Sequence, residues 1–218
     1  MKNVKTKRLI CLEFTVISGK CTLYTKGGTM ATTNPIRGKR ELNAFKQYYL
    51  EKENYRNYLL IIMGLNTALR ISDLLKLRWR DVYDFHCHHY RTHICIVEQK
   101  TGKHKMIAIN RALMQSLKLC RKGKKSSDYL FSTRSDPTHP IKRCQAYRII
   151  KKAADDCGLE GHISCHSLRK TFGYHAWKQG VPPAMLMNIY NHSSYQITKR
   201  YLGIEQDDMD HVFKKIDL

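Results

Sequence analysis

Apolar residues along the chain recur with two different periods. Between Asn54 and Ala68 they fall at Tyr58, Leu59, Ile61, Ile62 and Leu65, and the stripe continues to Leu69. Spacings of three and four predict a helix with one buried face. Glu41–Glu51 carries a shorter pattern of the same kind. In ALRISDLLKLRWRDV, Ser72 and Asp73 are helix-start residues ahead of Leu74, Leu75 and Leu77. From Asp84 to Asn110 the period changes to two. His93–Val97 and Lys105–Ile109 flank the turn Lys100-Thr101-Gly102-Lys103, which predicts an antiparallel hairpin.

Helical spacing then returns over Arg111–Cys120, Ile141–Cys157 and Cys165–Gln179. Gly158 and Gly180 follow the last two, where a left-handed residue ends a helix. Pro182-Pro183 opens another helix, and Ile204–Ile216 is a final amphipathic stretch. The expected fold is mainly α with one small antiparallel β-sheet, an α+β class.

The front of the chain reads differently. LICLEFTVISGKCTLYT alternates like a strand pair turning at Ser18-Gly19, and Thr32–Arg40 reads as a basic linker containing Pro and Gly. Two alternatives stay open for the first 29 residues, a β-arm or an extension upstream of a second start at Met30. The expected division is residues 1–35 as a basic N-terminal extension and 36–218 as the working domain.

Charge narrows the partner. The chain has 218 residues, with 39 Lys+Arg against 18 Asp+Glu, a formal net charge of +21. An excess of that size repels itself unless it meets a polyanion, so double-stranded DNA is the leading partner. The basic residues are spread rather than clustered beside an apolar helix, which argues against a membrane surface. No run of about eighteen apolar residues exists to span one. Basic KNVKTKR before LICLEFTVI imitates a secretory signal, but Glu13 breaks the apolar run and no small-residue cleavage site follows. Eight cysteines without tight paired spacing read as reduced thiols, and the expected location is cytoplasmic. The run Phe85–Cys95 is rich in His and Cys, but its irregular spacing does not complete a zinc site, and no cofactor is expected.

The candidate chemistry lies in the last quarter. His166 and Arg169 are three apart and share a helical face; Asn191-His192 and Tyr201 follow. A phenol, two imidazoles and a guanidinium suit metal-free attack on a phosphodiester: the phenol as nucleophile, the cations as holders of the charge that builds on phosphorus. Taken singly each residue has a plainer reading, such as a surface cation or a half-buried aromatic.

In order, Arg70, Lys100, His166, Arg169, His192 and Tyr201 resemble the catalytic domain of the tyrosine recombinases, the phage-integrase family. The matching stretches are TALRISDLLKL, EQKTGKHKMIAI, HSLRKTFGYHA and NHSSYQITKRYL, within about Asn43 to Leu202. The resemblance implies the DNA breaking–rejoining fold and a site-specific recombinase working through a 3′-phosphotyrosyl intermediate. It implies that Arg70 and Arg169 clamp the scissile phosphate and that Lys100 protonates the departing 5′ oxygen. His166 would bond the phosphate or accept the phenol proton, His192 would add a further bond, and Tyr201 would attack. Asp73 would be structural, orienting Arg70. Lys103 and Lys105 compete locally with Lys100.

The resemblance further implies self-association on DNA and leaves room for an accessory DNA-bending protein; a tail helix in Glu205–Leu218 would either dock on a neighbouring copy or pack on its own domain. Two positions depart from the family pattern: Asn191 and Ala68 stand where glycine is usual. Asparagine tolerates left-handed backbone best after glycine. The family's usual N-terminal DNA-clamping domain has no counterpart in this sequence. Competing readings are a non-catalytic DNA-binding regulator, a decayed integrase and a type IB topoisomerase.

Overall fold

The computed structural model describes residues 16–17, 20–21 and 33–216. It divides into two units, residues 1–32 and 33–218. In the first, β1 (Val16–Ile17) pairs antiparallel with β2 (Lys20–Cys21), with Val16 opposite Cys21 and Ile17 opposite Lys20. The turn expected at Ser18-Gly19 and the rest of that expected arm lie outside the described residues.

The second unit is built on helices. α1 (Lys39–Glu51) buries Phe45, Tyr48 and Tyr49, a three-and-four spacing, and α2 (Tyr55–Thr67) is buried along most of its length. The Asn54 side chain caps α2 by accepting from the Asn57 N–H. α2 ends at Ala68 in the left-handed conformation, φ 53°. A short α3 (Ile71–Leu74) starts directly after Arg70, two residues earlier than Ser72-Asp73 suggests. α4 (Arg111–Cys120), α5 (Arg143–Asp156), α6 (Cys165–Lys178), α7 (Pro183–Tyr190), α8 (Tyr195–Leu202) and α9 (Glu205–Lys215) follow.

The expected single sheet is, in this unit, two separate two-stranded ladders. β3 (Tyr83–Asp84) pairs with β4 (His89–Tyr90), and β5 (His93–Val97) with β6 (His104–Ala108). In the second ladder His93 faces Ala108 and Val97 faces His104. The Glu98 N–H bonds to the Lys103 carbonyl and the Gly102 N–H to the Glu98 carbonyl, which closes the turn.

Buried side chains form two groups. The larger gathers Phe45, Leu59, Met63, Trp79, Ile94, Phe131, Ile150 and Leu168 with their neighbours. The smaller holds Ala68, Tyr174, Leu186, Tyr190, Leu202 and Ile204. α6 contributes Leu168 to one and Tyr174 to the other, so it is the element around which both assemble.

Residues 33–37, expected as linker, are instead fastened to the helical unit. The Ile36 N–H donates to Thr171 Oγ1 at 2.9 Å, Lys170 Nζ donates to the Thr33 carbonyl at 2.7 Å, and the Arg37 side chain reaches the Gly203 carbonyl and Asp207. These bonds pair backbone groups with distant side chains, so no local pattern announces them. Six cysteines among the described residues form no disulfide. Among the described residues, no helix is long and apolar enough to cross a membrane.

Candidate active site

α6 starts on Ser164. Its side chain accepts from the His166 N–H, while Ser167 Oγ accepts from the Ser164 N–H, a reciprocal cap. That start fixes the helical phase, putting His166 and Arg169 one turn apart on one face. His166 is exposed, whereas Arg169 is buried.

Tyr190, at the end of α7, is the plank against which the cluster rests. Its hydroxyl donates to the Arg169 carbonyl at 2.8 Å, its carbonyl accepts from Arg169 Nη2 at 3.4 Å, and the guanidinium lies 4.7 Å from its ring centre. The His192 ring stacks on it at 5.5 Å, and the Tyr201 ring is 5.4 Å away. His192 and Tyr201 meet edge to face at 5.3 Å. Asn191, left-handed at φ 55°, turns the chain out of α7, and the His192 N–H bonds back to the Met187 carbonyl. The glycine usual in the family is thus replaced without loss of the turn. Ala68 adopts the same region and carries the chain round to Arg70.

Arg70 Nη1 lies 2.9 Å from Glu98 Oε2, and Lys105 Nζ lies 3.0 Å from Glu98 Oε1. Asp73 does not orient the Arg70 side chain; its Oδ1 accepts from the Gln99 N–H at 3.0 Å and so anchors the root of the turn. Glu98 is the acid that holds Arg70.

Electrostatics confirm the gathering. Burial pushes the Tyr201 phenol up, opposed by the nearby Arg169 and Arg70 charges. His192 is held below its ordinary value by burial and then by Arg169 and Arg70. His166 is lowered by desolvation from the protein around its ring, then by Arg143, Arg169, Lys170 and Arg70. Both shifts favour the neutral imidazole. Arg169 Nη1 is buried without a hydrogen-bond partner among the described residues.

Five of the six expected residues therefore meet: Arg70, His166, Arg169, His192 and Tyr201. Lys100 does not join them. It is exposed on the turn between β5 and β6 and makes no side-chain hydrogen bond or ion pair among the described residues. The lysine inside the cluster is Lys105, which also donates to the Ile189 carbonyl. Glu98, Tyr190 and Thr198 escaped the sequence reading, which weighed Lys105 only as a local competitor of Lys100. A charged residue ending an apolar strand marked Glu98; nothing local marked Tyr190 or Thr198.

A cluster of buried cations around a phenol, on this helical frame, defines a DNA strand-transfer domain. The phage integrase family model matches residues 39–207, and the chain belongs to that family, the tyrosine recombinases. Its members recombine DNA site-specifically through a 3′-phosphotyrosyl intermediate. The chain is 44% identical over 186 residues to a probable integrase/recombinase of Bacillus subtilis (strain 168), YoeC, spanning 85% of this chain and 97% of that one. It is 28% identical over 165 residues to a tyrosine recombinase of Pseudothermotoga lettingae, spanning 74% of this chain and about half (54%) of the relative's length. The fold matches the crystal structure of a XerA recombinase with TM-score 0.66 at 18% identity, covering 84% of this chain and 66% of that one. It matches a lambda integrase dimer bound to a COC' core site with TM-score 0.59 at 18% identity, covering 82% and 50%.

Proposed function

We propose that residues 36–218 form the catalytic domain of a cytoplasmic recombinase that binds double-stranded DNA and cleaves it by attack of Tyr201. Arg70 and Arg169 hold the non-bridging oxygens of the scissile phosphate. Arginine suits this because its planar fork donates paired hydrogen bonds and stays charged. The observation that carries the reading is the buried Arg169 guanidinium set against the Tyr201 phenol, with the Arg70 charge also acting on it, an arrangement that favours an anion there. Burial makes such preset donors most effective when the phosphorus gains charge.

His166, whose neutral form is favoured by burial and the surrounding cations, accepts the phenol proton or bonds the phosphate. His192 adds a bond from Nε2, with its Nδ1 engaged by Thr198 Oγ1 at 3.1 Å. We assign the general acid to Lys100. Lys105 is committed to Glu98 and the Ile189 carbonyl, while Lys100 rides a turn whose root, Gln99, is tied beside Arg70. Attack leaves a 3′-phosphotyrosyl ester and a free 5′ hydroxyl, so strands rejoin without ATP or metal. Copies of the chain assemble on DNA, in keeping with the lambda integrase dimer bound to its core site.

The test uses nicked suicide duplexes spanning the ends of the element that carries this gene. An adduct on Tyr201, lost in Tyr201→Phe with binding retained, is expected. A 5′-bridging sulfur needs no proton to leave, so it should restore cleavage to Lys100→Ala and not to Lys105→Ala. Tight specific binding without an adduct would overturn the catalytic reading in favour of a DNA-binding regulator. Restoration of Lys105→Ala alone would move the acid to that residue.

A further inference from the structure

The most heavily bonded charged group in the cluster is a carboxylate with no assigned part in the reaction. Glu98 is fully buried. Its Oε2 accepts from the Thr101 hydroxyl and from Asn191 Nδ2, both at 2.7 Å, and forms an ion pair with Arg70 Nη1 at 2.9 Å; its Oε1 forms an ion pair with Lys105 Nζ at 3.0 Å. These partners come from four places: the hairpin turn, the end of α7, the corner between α2 and α3, and β6. Lys105 in turn donates to the Ile189 carbonyl in α7, and Gln99 is tied to Asp73.

A buried carboxylate without partners is costly, and one compensated by two cations and two hydrogen bonds fixes the groups that meet it. Lys105 is lowered by burial and then by the Arg169 and Arg70 charges, and Arg169 by burial and then by Arg70. Glu98 is the counter-charge that lets these cations share one site.

The geometry points to Glu98 as the positioning residue of this recombinase site: it sets the Arg70 fork and, through Asn191, locks the turn that presents His192. This rests on the functional reading above. The Asn191 link exists because this chain carries asparagine where the family usually has glycine. Its side chain adds a hydrogen bond to the left-handed turn that glycine could not make.

The test compares wild type, Glu98→Gln and Asn191→Gly on the suicide duplex and on the same duplex with a methylphosphonate at the scissile position, which removes the charge that Arg70 meets. Glu98→Gln should bind DNA within about twofold of wild type and cleave the phosphodiester at least tenfold more slowly, a loss falling below threefold on the methylphosphonate. Asn191→Gly, whose backbone fits φ 55° and therefore keeps the fold, should lose three- to fivefold; in the double variant the losses should not multiply. Side-chain NMR supplies a readout independent of chemistry: the Asn191 amide and Arg70 Nε–H resonances should both move in Glu98→Gln.

Wild-type cleavage by Glu98→Gln would overturn the inference, as would equal losses on both substrates. If Glu98→Gln does not fold, Asn191→Gly decides: unchanged cleavage with an unmoved Arg70 resonance overturns it. If wild type itself forms no adduct, the functional reading fails instead, and the resonances alone judge Glu98.

Discussion

The Tyr190 hydroxyl donates to the backbone carbonyl of Arg169 across the junction of α7 and α6. This bond places the ring under the guanidinium and, through stacking, sets His192 and Tyr201 against it. It requires the two helices to approach closely, and α6 permits that at Gly173. A Cβ there would stand 2.4 Å from the Tyr190 hydroxyl oxygen and 2.5 Å from Leu202 Cδ2.

Gly173→Ala should therefore separate α6 from α7 and α8. Neither a buried ring nor a buried leucine can yield without displacing its neighbours, and overpacking of this kind costs about 1–3 kcal/mol. The expected result is a lower urea midpoint together with cleavage reduced by more than the stability loss explains, since Arg169 and Tyr201 shift apart. A midpoint equal to wild type would show that the close approach is not needed.

How much of this was legible in the sequence depends on distance along the chain. The stripe over Tyr58–Leu65 and the alternation over His93–Val97 announced α2 and β5, because local period alone determines which face is buried. Arg169 and His166 were legible together because one helical turn joins them. Lys105 was not separable from Lys100: a hairpin offers several lysines, and only the register, with Lys105 opposite Ile96, decides which one faces the cluster. Asp73 was credited with orienting Arg70 because it is near in sequence; Glu98, 28 positions on, does so in space. Residues 33–37 resembled a linker because their partners, Thr171 and Lys170 on α6 and Gly203 and Asp207 beyond it, lie far along the chain.

Thr198 is fully buried, and its Oγ1 faces His192 Nδ1 at 3.1 Å. The same hydroxyl also reaches the Ser194 carbonyl at 3.4 Å; turned to the nearer Nδ1, it donates there and keeps the imidazole proton on Nε2, the nitrogen left for the phosphate. Thr198→Val preserves shape and removes that control. One lost hydrogen bond of this kind is worth about 1 kcal/mol, so cleavage should fall roughly fivefold with DNA binding unchanged. The same loss seen in a His192→Ala background would assign the effect to something other than this pair.

The acid response of the fold provides a check on the Glu98 network that needs no DNA. Burial alone would raise this carboxyl, but bonds from Thr101, Lys105 and Arg70 outweigh it and hold it at about 2, against 4.5 for the free group. A depressed carboxyl contributes stability that is fully present above the unfolded value and is lost as pH falls through the folded one. The difference corresponds to about 3 kcal/mol at neutral pH. Glu98→Gln leaves Arg70 and Lys105 without their counter-charge, so it should be less stable than wild type at pH 7 by an amount of that order. As pH drops from about 4.5 toward 2, protonation makes Glu98 resemble glutamine, and the gap should close, falling below half its neutral value by about pH 3. Urea midpoints of both proteins across pH 7 to 3 measure this directly. A gap that stays constant with pH would mean that the carboxylate charge does not hold the cluster together.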